Sequence, residues 1–183
     1  MSSVIRFFIS FLLVCVVNPL TAQSLAVSEL KDPGKWVVGG DFGLGFSTYG
    51  SQIMLSPELG YSLLPRLEAG LRFTYSYSSY KSSGYKIQSS YYGGAVYASY
   101  HIYKGILARI ENELLNYQPI IYSSNGFVEG ERKWVNSIFV GGGYRQYFSR
   151  NGFGTILILY NLNETLDSPY NNPIFRMGVG FHL

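Results

Sequence analysis

The sequence predicts an all-β fold: an eight-stranded antiparallel up-and-down transmembrane β-barrel, preceded by a cleavable signal peptide. Three observations carry this. The last stretch alternates strictly, with Phe175, Met177, Val179, Phe181 and Leu183 apolar and Arg176, Gly178, Gly180 and His182 small or polar. A period of two marks a strand with one apolar face and one polar face. Seven further segments repeat the pattern over about ten residues each, the length that crosses a bilayer at a tilt. In these segments the charges share a face with glycine and serine, while aromatics crowd the other face. A soluble barrel would show the reverse.

Composition agrees. Only 14% of the 183 residues are charged, and the chain holds 17 Tyr, 12 Phe and 21 Gly. A usual domain is about one-quarter charged. This balance fits a membrane barrel or a secreted all-β domain better than a cytosolic enzyme. The formal net charge of +3 is small and no Lys/Arg cluster is dense, so no nucleic acid partner is expected. The length suits a single domain.

Residues 1–22 read as the signal peptide. Arg6 supplies the positive start, residues 7–17 form an apolar run, and Asn18-Pro19 breaks it before Leu20-Thr21-Ala22. The run is too short to span a bilayer as a helix. Cleavage after Ala22 or after Gln23 fits. Cys15 is the sole cysteine, and Leu13 and Val14 before it are too large for a lipid-anchor motif. Cleavage would leave no thiol chemistry. No later run reaches about 18 apolar residues, so export ends in the periplasm or the outer membrane.

Residues 23–35 read as a periplasmic lead-in, with Asp32-Pro33-Gly34 as a turn signal. The barrel then occupies 36–183. The first strand, 36–47, points Trp36, Val38, Gly40, Phe42, Leu44 and Phe46 outward. Val37, Gly39, Asp41, Gly43, Gly45 and Ser47 point inward. Small residues and one charge suit the narrow interior of eight strands. Residues 48–52 connect to the second strand, 53–63, with Ile53, Leu55, Leu59, Tyr61 and Leu63 outward and Ser56, Glu58, Gly60 and Ser62 inward. Pro57 cannot donate to a ladder, so a bulge or local fraying is expected there. Leu64-Pro65 turns the chain.

The third strand, 66–78, alternates most cleanly. Leu67, Ala69, Leu71, Phe73, Tyr75 and Tyr77 face out, and Glu68, Gly70, Arg72, Thr74 and Ser76 face in. Residues 79–90 read as a Ser/Tyr/Lys loop. The fourth strand, 91–102, sends Tyr92, Val96, Ala98, Tyr100 and Ile102 out and Tyr91, Ala95, Tyr97, Ser99 and His101 in. Tyr103-Lys104-Gly105 is a turn. The fifth strand, 106–117, carries Arg109, Glu111 and Glu113 inward and Ala108, Ile110 and Leu114 outward, with Asn112 as an exception.

Residues 118–132 form the longest loop, with Pro119 and Asn125-Gly126. The sixth strand, 133–148, has Trp134, Ile138, Val140, Tyr144 and Phe148 out and Ser137, Gly141, Gly143 and Arg145 in. After a short turn at 149–151, the seventh strand, 152–161, alternates poorly, with Ile156, Ile158 and Tyr160 outward. Residues 162–172 are a loop. The eighth strand, from 174, is expected to close onto the first.

Tight and long connections alternate. Bacterial barrels place short turns in the periplasm, so both termini are expected there. Aromatics fall in two belts: Trp36, Tyr61, Tyr100, Phe148 and Phe181 near the short turns, and Phe46, Tyr75, Tyr77, Tyr92, Trp134 and Tyr160 near the long loops. Membrane interfaces favour such belts.

With these features, residues 36–183 resemble the small eight-stranded outer-membrane β-barrels of Gram-negative bacteria, the OmpX/OmpA-type barrel group. The resemblance is carried by the signal peptide, by Pro57-Glu58-Leu59-Gly60-Tyr61-Ser62-Leu63-Leu64-Pro65-Arg66-Leu67-Glu68-Ala69-Gly70, and by Phe175-Arg176-Met177-Gly178-Val179-Gly180-Phe181-His182-Leu183. It implies an outer-membrane location and contact with outer-membrane lipid. It also implies a C-terminal insertion signal (Phe175, Met177, Val179, Phe181, Leu183) read by the barrel-assembly machinery. That signal usually ends in an aromatic residue; here the last residue is Leu183, and Phe181 can take the role.

The inward charges are Asp41, Glu58, Glu68, Glu111 and Glu113 against Arg72, Arg109, Arg145 and Arg176. The near balance predicts an interior charge network, since an unpaired buried charge costs several kcal/mol. Glu111 and Glu113 share a strand face, but a structural ion network is the simpler reading than paired-carboxylate catalysis. His101 and His182 lie near the short-turn rim, in no zinc-like spacing. The outer-membrane acyl hydrolases and acyltransferases that resemble this barrel need a histidine with a serine near the outer leaflet, and neither histidine is placed for that. Gly40-Asp41-Phe42-Gly43-Leu44-Gly45 lies inside a strand and opens no helix, so packing room explains it better than phosphate binding.

No catalytic, metal or cofactor site is expected. The reading is a monomeric, non-enzymatic barrel with a plugged interior and a structural or surface-contact role. A small-solute pore is the first alternative, and a soluble lipocalin-like ligand binder is the second.

Overall fold

The computed structural model describes residues 34–47, 50–82, 85–118, 120–123, 126–164, 168–170 and 172–183. The expected signal peptide and nearly all of the lead-in lie outside these. Among the described residues ten strands are present: β1 (Trp36–Ser47), β2 (Gly50–Leu64), β3 (Leu67–Ser82), β4 (Tyr85–Tyr103), β5 (Ile106–Tyr117), β6 (Ile120–Ser123), β7 (Gly126–Glu129), β8 (Lys133–Tyr147), β9 (Gly152–Asn161) and β10 (Ile174–His182). Eight of them close into one barrel in the order β1-β10-β9-β8-β5-β4-β3-β2. Every pairing is antiparallel. The β6–β7 hairpin stands apart, within the connection from β5 to β8.

The first strand, β5 and β9 begin and end where periodicity places them. Two connections differ from the expectation. Residues 79–90 are not a loop: β3 and β4 stay paired from Leu67↔Tyr100 to Ser82↔Tyr85. Residues 118–132 contain the β6–β7 hairpin, paired from Ile120↔Glu129 to Ser123↔Gly126. The second strand also starts earlier, at Gly50 rather than at 53. Backbone pairing continues there without an apolar face to announce it.

Tight turns gather at one end of the barrel. Lys104 (φ 42°) and Gly105 (φ 87°) link β4 to β5 with two left-handed residues in series, the geometry that matches strand twist in a two-residue hairpin. A Cβ at Gly105 would lie 2.5 Å from the Arg145 carbonyl oxygen. At the same end Leu183 N donates to Trp36 O at 2.9 Å, so β1 starts where β10 finishes.

The seam between β1 and β10 is short. It runs from Val37↔His182 to Asp41↔Gly178, five positions, whereas β1 and β2 pair at twelve. Gly40 has φ +151°, and a Cβ there would sit 2.4 Å from Ser56 O and 2.8 Å from Pro57 Cα. Glycine is thus required opposite Pro57. The disturbance expected at Pro57 takes the form of fraying. The β2–β3 ladder is interrupted between Leu55↔Tyr75 and Glu58↔Arg72 with no change of register, and the register shift falls at Ser62/Leu64 instead.

The exterior is apolar and exposed. Phe42, Leu55, Leu71, Phe73, Val96, Ile110, Ile156 and Met177 all present more than two-fifths of their surface. The interior is not wholly polar. Leu107, Phe139, Leu157 and Leu159 form one buried cluster, and Val37, Tyr147 and Phe153 another. Poor alternation in the seventh predicted strand has this cause: β9 sends Phe153, Leu157 and Leu159 inward as well as Ile156 and Ile158 outward.

Candidate functional site in the barrel interior

The nine charged residues singled out by strand parity all lie inside the barrel, and eight of them form two groups. In the larger, Arg72 donates to Asp41 through both terminal nitrogens and to Glu58 Oε1 at 2.7 Å. Arg109 Nη2 reaches the same Glu58 oxygen at 2.7 Å, and its Nε meets Glu111 Oε2 at 3.1 Å. Arg176 Nη1 completes the row on Glu111 Oε1 at 2.7 Å. Three acids thus alternate with three arginines drawn from β1, β3, β2, β5 and β10. The residues are buried, apart from a partly exposed Glu58.

The smaller group lies toward the short turns. Arg145 Nη1 donates to Glu68 Oε2 at 2.7 Å, and Tyr97 Oη donates to Glu68 Oε1 at 3.0 Å. His101 Nε2 stands 3.8 Å from Glu68. His182 stacks beside Tyr147, whose hydroxyl is 3.2 Å from His182 Nε2. Glu113 belongs to neither group. It is fully buried and accepts a hydrogen bond from Thr74 Oγ1 at 3.1 Å.

Aromatic rings complete the filling. Arg109 lies 3.8 Å over the Tyr97 ring, Arg145 4.0 Å over Phe153 and Arg176 4.9 Å over Phe139. A guanidinium stacks on a ring face while its edges stay free for carboxylates. Tyr170, from the connection between β9 and β10, covers the other end. It packs edge-on against Phe139 at 5.4 Å and against Tyr91 at 6.5 Å. Burial, and then the Glu113 carboxylate beside it, push the Tyr170 phenol well above the ordinary tyrosine range. Periodicity singled out none of Phe139, Phe153 or Tyr170. The first two sit at inward positions, and the third lies in a loop.

The interior leaves little space. Among the described residues a cavity of about 20 Å³ lies between the groups, bounded by Glu58, Glu68, Arg109, Arg145, Thr155 and Arg176. That is room for one water molecule. Among the described residues no cluster of His, Cys, Asp and Glu is arranged to hold a metal ion. The C-terminal positions Phe175, Met177, Val179, Phe181 and Leu183 are all exposed on the outer face, each by half or more.

No family model matches the chain, and no curated protein sequence matches it. Solved structures do. The N-terminal β-barrel domain of Pseudomonas aeruginosa OprF aligns over 83% of this chain and all of its own, at 18% identity and a TM-score of 0.48. A de novo designed transmembrane β-barrel aligns over 83% and 98%, at 15% identity and 0.41. The Yersinia pestis outer membrane protein Ail, in a phospholipid bilayer nanodisc, aligns over 82% and 99%, at 13% identity and 0.54. At such identity the likeness to Ail is one of fold, and the fold of this chain is that of the small eight-stranded outer-membrane barrels.

Proposed function

We propose that this chain is an integral outer-membrane barrel with a plugged interior, non-enzymatic, serving a structural or surface-contact role. One observation carries the reading: the surface is inverted. Large apolar side chains are exposed all round the outer wall while eight of the nine interior charges are buried. Water would penalise such a wall, and a bilayer would not. A lipocalin-like binder needs the opposite arrangement. The pore alternative is disfavoured because guanidinium groups, rings and Tyr170 fill the lumen. Both termini are assigned to the periplasm on the turn lengths, with cleavage of residues 1–22 during export. The C-terminal strand offers Phe175 to Leu183 to the assembly machinery. The β3–β4 and β6–β7 hairpins, at the other end, supply the contact surface.

Cell fractionation tests the location, with recovery in the outer membrane as the expected result and a soluble periplasmic species as the refutation. Planar-bilayer recording tests the plug. No stepwise conductance is expected from the refolded protein, and steady single-channel steps would replace the plug with the pore.

A further inference from the structure

Charge is distributed unevenly along the barrel axis. The interior holds five acids against four arginines. In sequence, residues 79–90, 118–133 and 162–172 carry Lys81, Lys86, Arg132 and Lys133 against Glu129, Glu131, Glu164 and Asp167, an even balance of formal charge. Once residues 1–22 are removed, the sequence ahead of Gly34 holds Lys31 against Glu29 and Asp32, one net negative charge. The four cations Lys35, Arg66, Lys104 and Arg150 outweigh both of these deficits, so the positive balance of the chain originates at the short-turn end. Each of the three turns there carries a cation and none carries an acid: Arg66 between β2 and β3, Lys104 between β4 and β5, Arg150 between β8 and β9; Lys35 directly precedes β1. Arg66, Lys104 and Arg150 are exposed. A carboxylate at Leu183, included or not, leaves this end net positive.

A second feature fixes the depth of these cations. Trp36, Tyr103 and Phe148 are exposed on the outer wall within one or two residues of Lys35, Lys104 and Arg150. Lys104 Nζ lies 5.1 Å from the centre of the Tyr103 ring. Exposed Trp and Tyr settle at the headgroup level of a bilayer. Cations beside them, on the turn side, stand at the depth of the phosphates.

We propose that the short-turn end is a cationic collar that binds the phosphodiester headgroups of anionic phospholipids in the leaflet it faces. The proposal rests on the membrane reading above and adds a partner and a side to it. The collar draws anionic lipid to one rim and holds the barrel at a fixed height. The mixed charges of the opposite rim give no such preference. A basic side chain at an anionic surface contributes about fivefold in affinity, so the three exposed cations together contribute about 100-fold.

The test is amide NMR of the full chain refolded in zwitterionic micelles and titrated with a short-chain phosphatidylglycerol. Saturable shifts are expected at residues 65–66, 104–105 and 149–151, and the same titration with phosphatidylcholine should give none. Arg66→Gln, Lys104→Gln and Arg150→Gln combined should weaken binding about 100-fold, and added salt should weaken the wild type. Arg132→Gln with Lys133→Gln, at the other rim, should leave binding unchanged. Shifts confined to the long-loop end, equal response to both lipids, or a triple variant that binds like wild type would overturn the collar while leaving the membrane barrel standing. Equal binding of a soluble polyanion at the turns would also overturn it, since the site would then be a general anion patch. A chain that folds without micelles would remove the membrane reading and the collar together.

Discussion

Arg72→Met is the most informative change to the interior. Arg72 is 1% exposed and serves two carboxylates. They do not depend on it equally. Glu58 keeps Arg109, whereas among the described hydrogen bonds the side-chain donors to Asp41 come from Arg72 alone. Methionine fills much of the volume but strands Asp41 without a cation. Removing one partner of a buried pair costs about 3–5 kcal/mol, because the remaining charge is uncompensated. Arg109→Met is the control. Its acids both keep an arginine, Glu58 with Arg72 and Glu111 with Arg176, so the loss is that of charged hydrogen bonds alone, about 1.5–3 kcal/mol. Adding Asp41→Asn to Arg72→Met removes the stranded charge and should recover about 2 kcal/mol. The assay is urea unfolding of protein folded in lipid vesicles, followed by tryptophan fluorescence and by heat-modifiable mobility on gels. Equal losses for Arg72→Met and Arg109→Met, or a further loss on adding Asp41→Asn, would refute the reasoning.

The outer wall and the seam give further tests. Met177→Arg, near the middle of the apolar band, should lower stability by about 2–4 kcal/mol, and Phe181→Arg, near the rim, by about 0–1 kcal/mol; equal effects would mean that the band is misplaced. Cysteines at Val38 and Phe181, directly opposite across the seam, should crosslink on oxidation faster than the staggered pair Val38 with Val179. Tyr170 is neutral in the fold and its phenol is raised by burial and by Glu113, so its contribution is intact below the unfolded tyrosine value of about 10 and is lost as pH rises beyond it. Tyr170→Phe should therefore flatten the alkaline decline in urea midpoint, and an unchanged slope would place Tyr170 outside the barrel mouth.

Strand parity reached the interior charges because alternation is strict where one face meets an apolar environment. It assigned Asp41, Glu68, Arg72 and Arg109 to the lumen from neighbours alone. It stopped at residues 79–90, where Ser, Tyr and Lys follow no apolar rhythm and the β3–β4 ladder continues on backbone pairing. It stopped again at β6–β7. There Asn125-Gly126 marked a turn, yet the flanking Ile120-Ile121-Tyr122 and Phe127-Val128 are too short to alternate. Glu68 shows a further limit. Its place in the lumen is periodic, but of its partners only Tyr97 lies on the next strand, and Arg145 comes from β8, distant in sequence. Closure decides which arginine meets which acid, and no local pattern encodes that.

The five-position seam has a consequence for the order of assembly. Neighbouring strands such as β3 and β4 close over a local turn and gain sixteen paired positions. Joining β1 to β10 must bring together nearly the whole length of the chain, and the ordering cost of that loop is set against only five. The hairpins therefore zip first and the seam shuts last. The species just before closure is an almost complete curved sheet with Trp36–Ser47 bare on one side and Ile174–His182 bare on the other. Two such edges from different copies match each other as well as they match within one chain. Concentration during insertion thus decides between a closed monomer and a sheet extended from copy to copy.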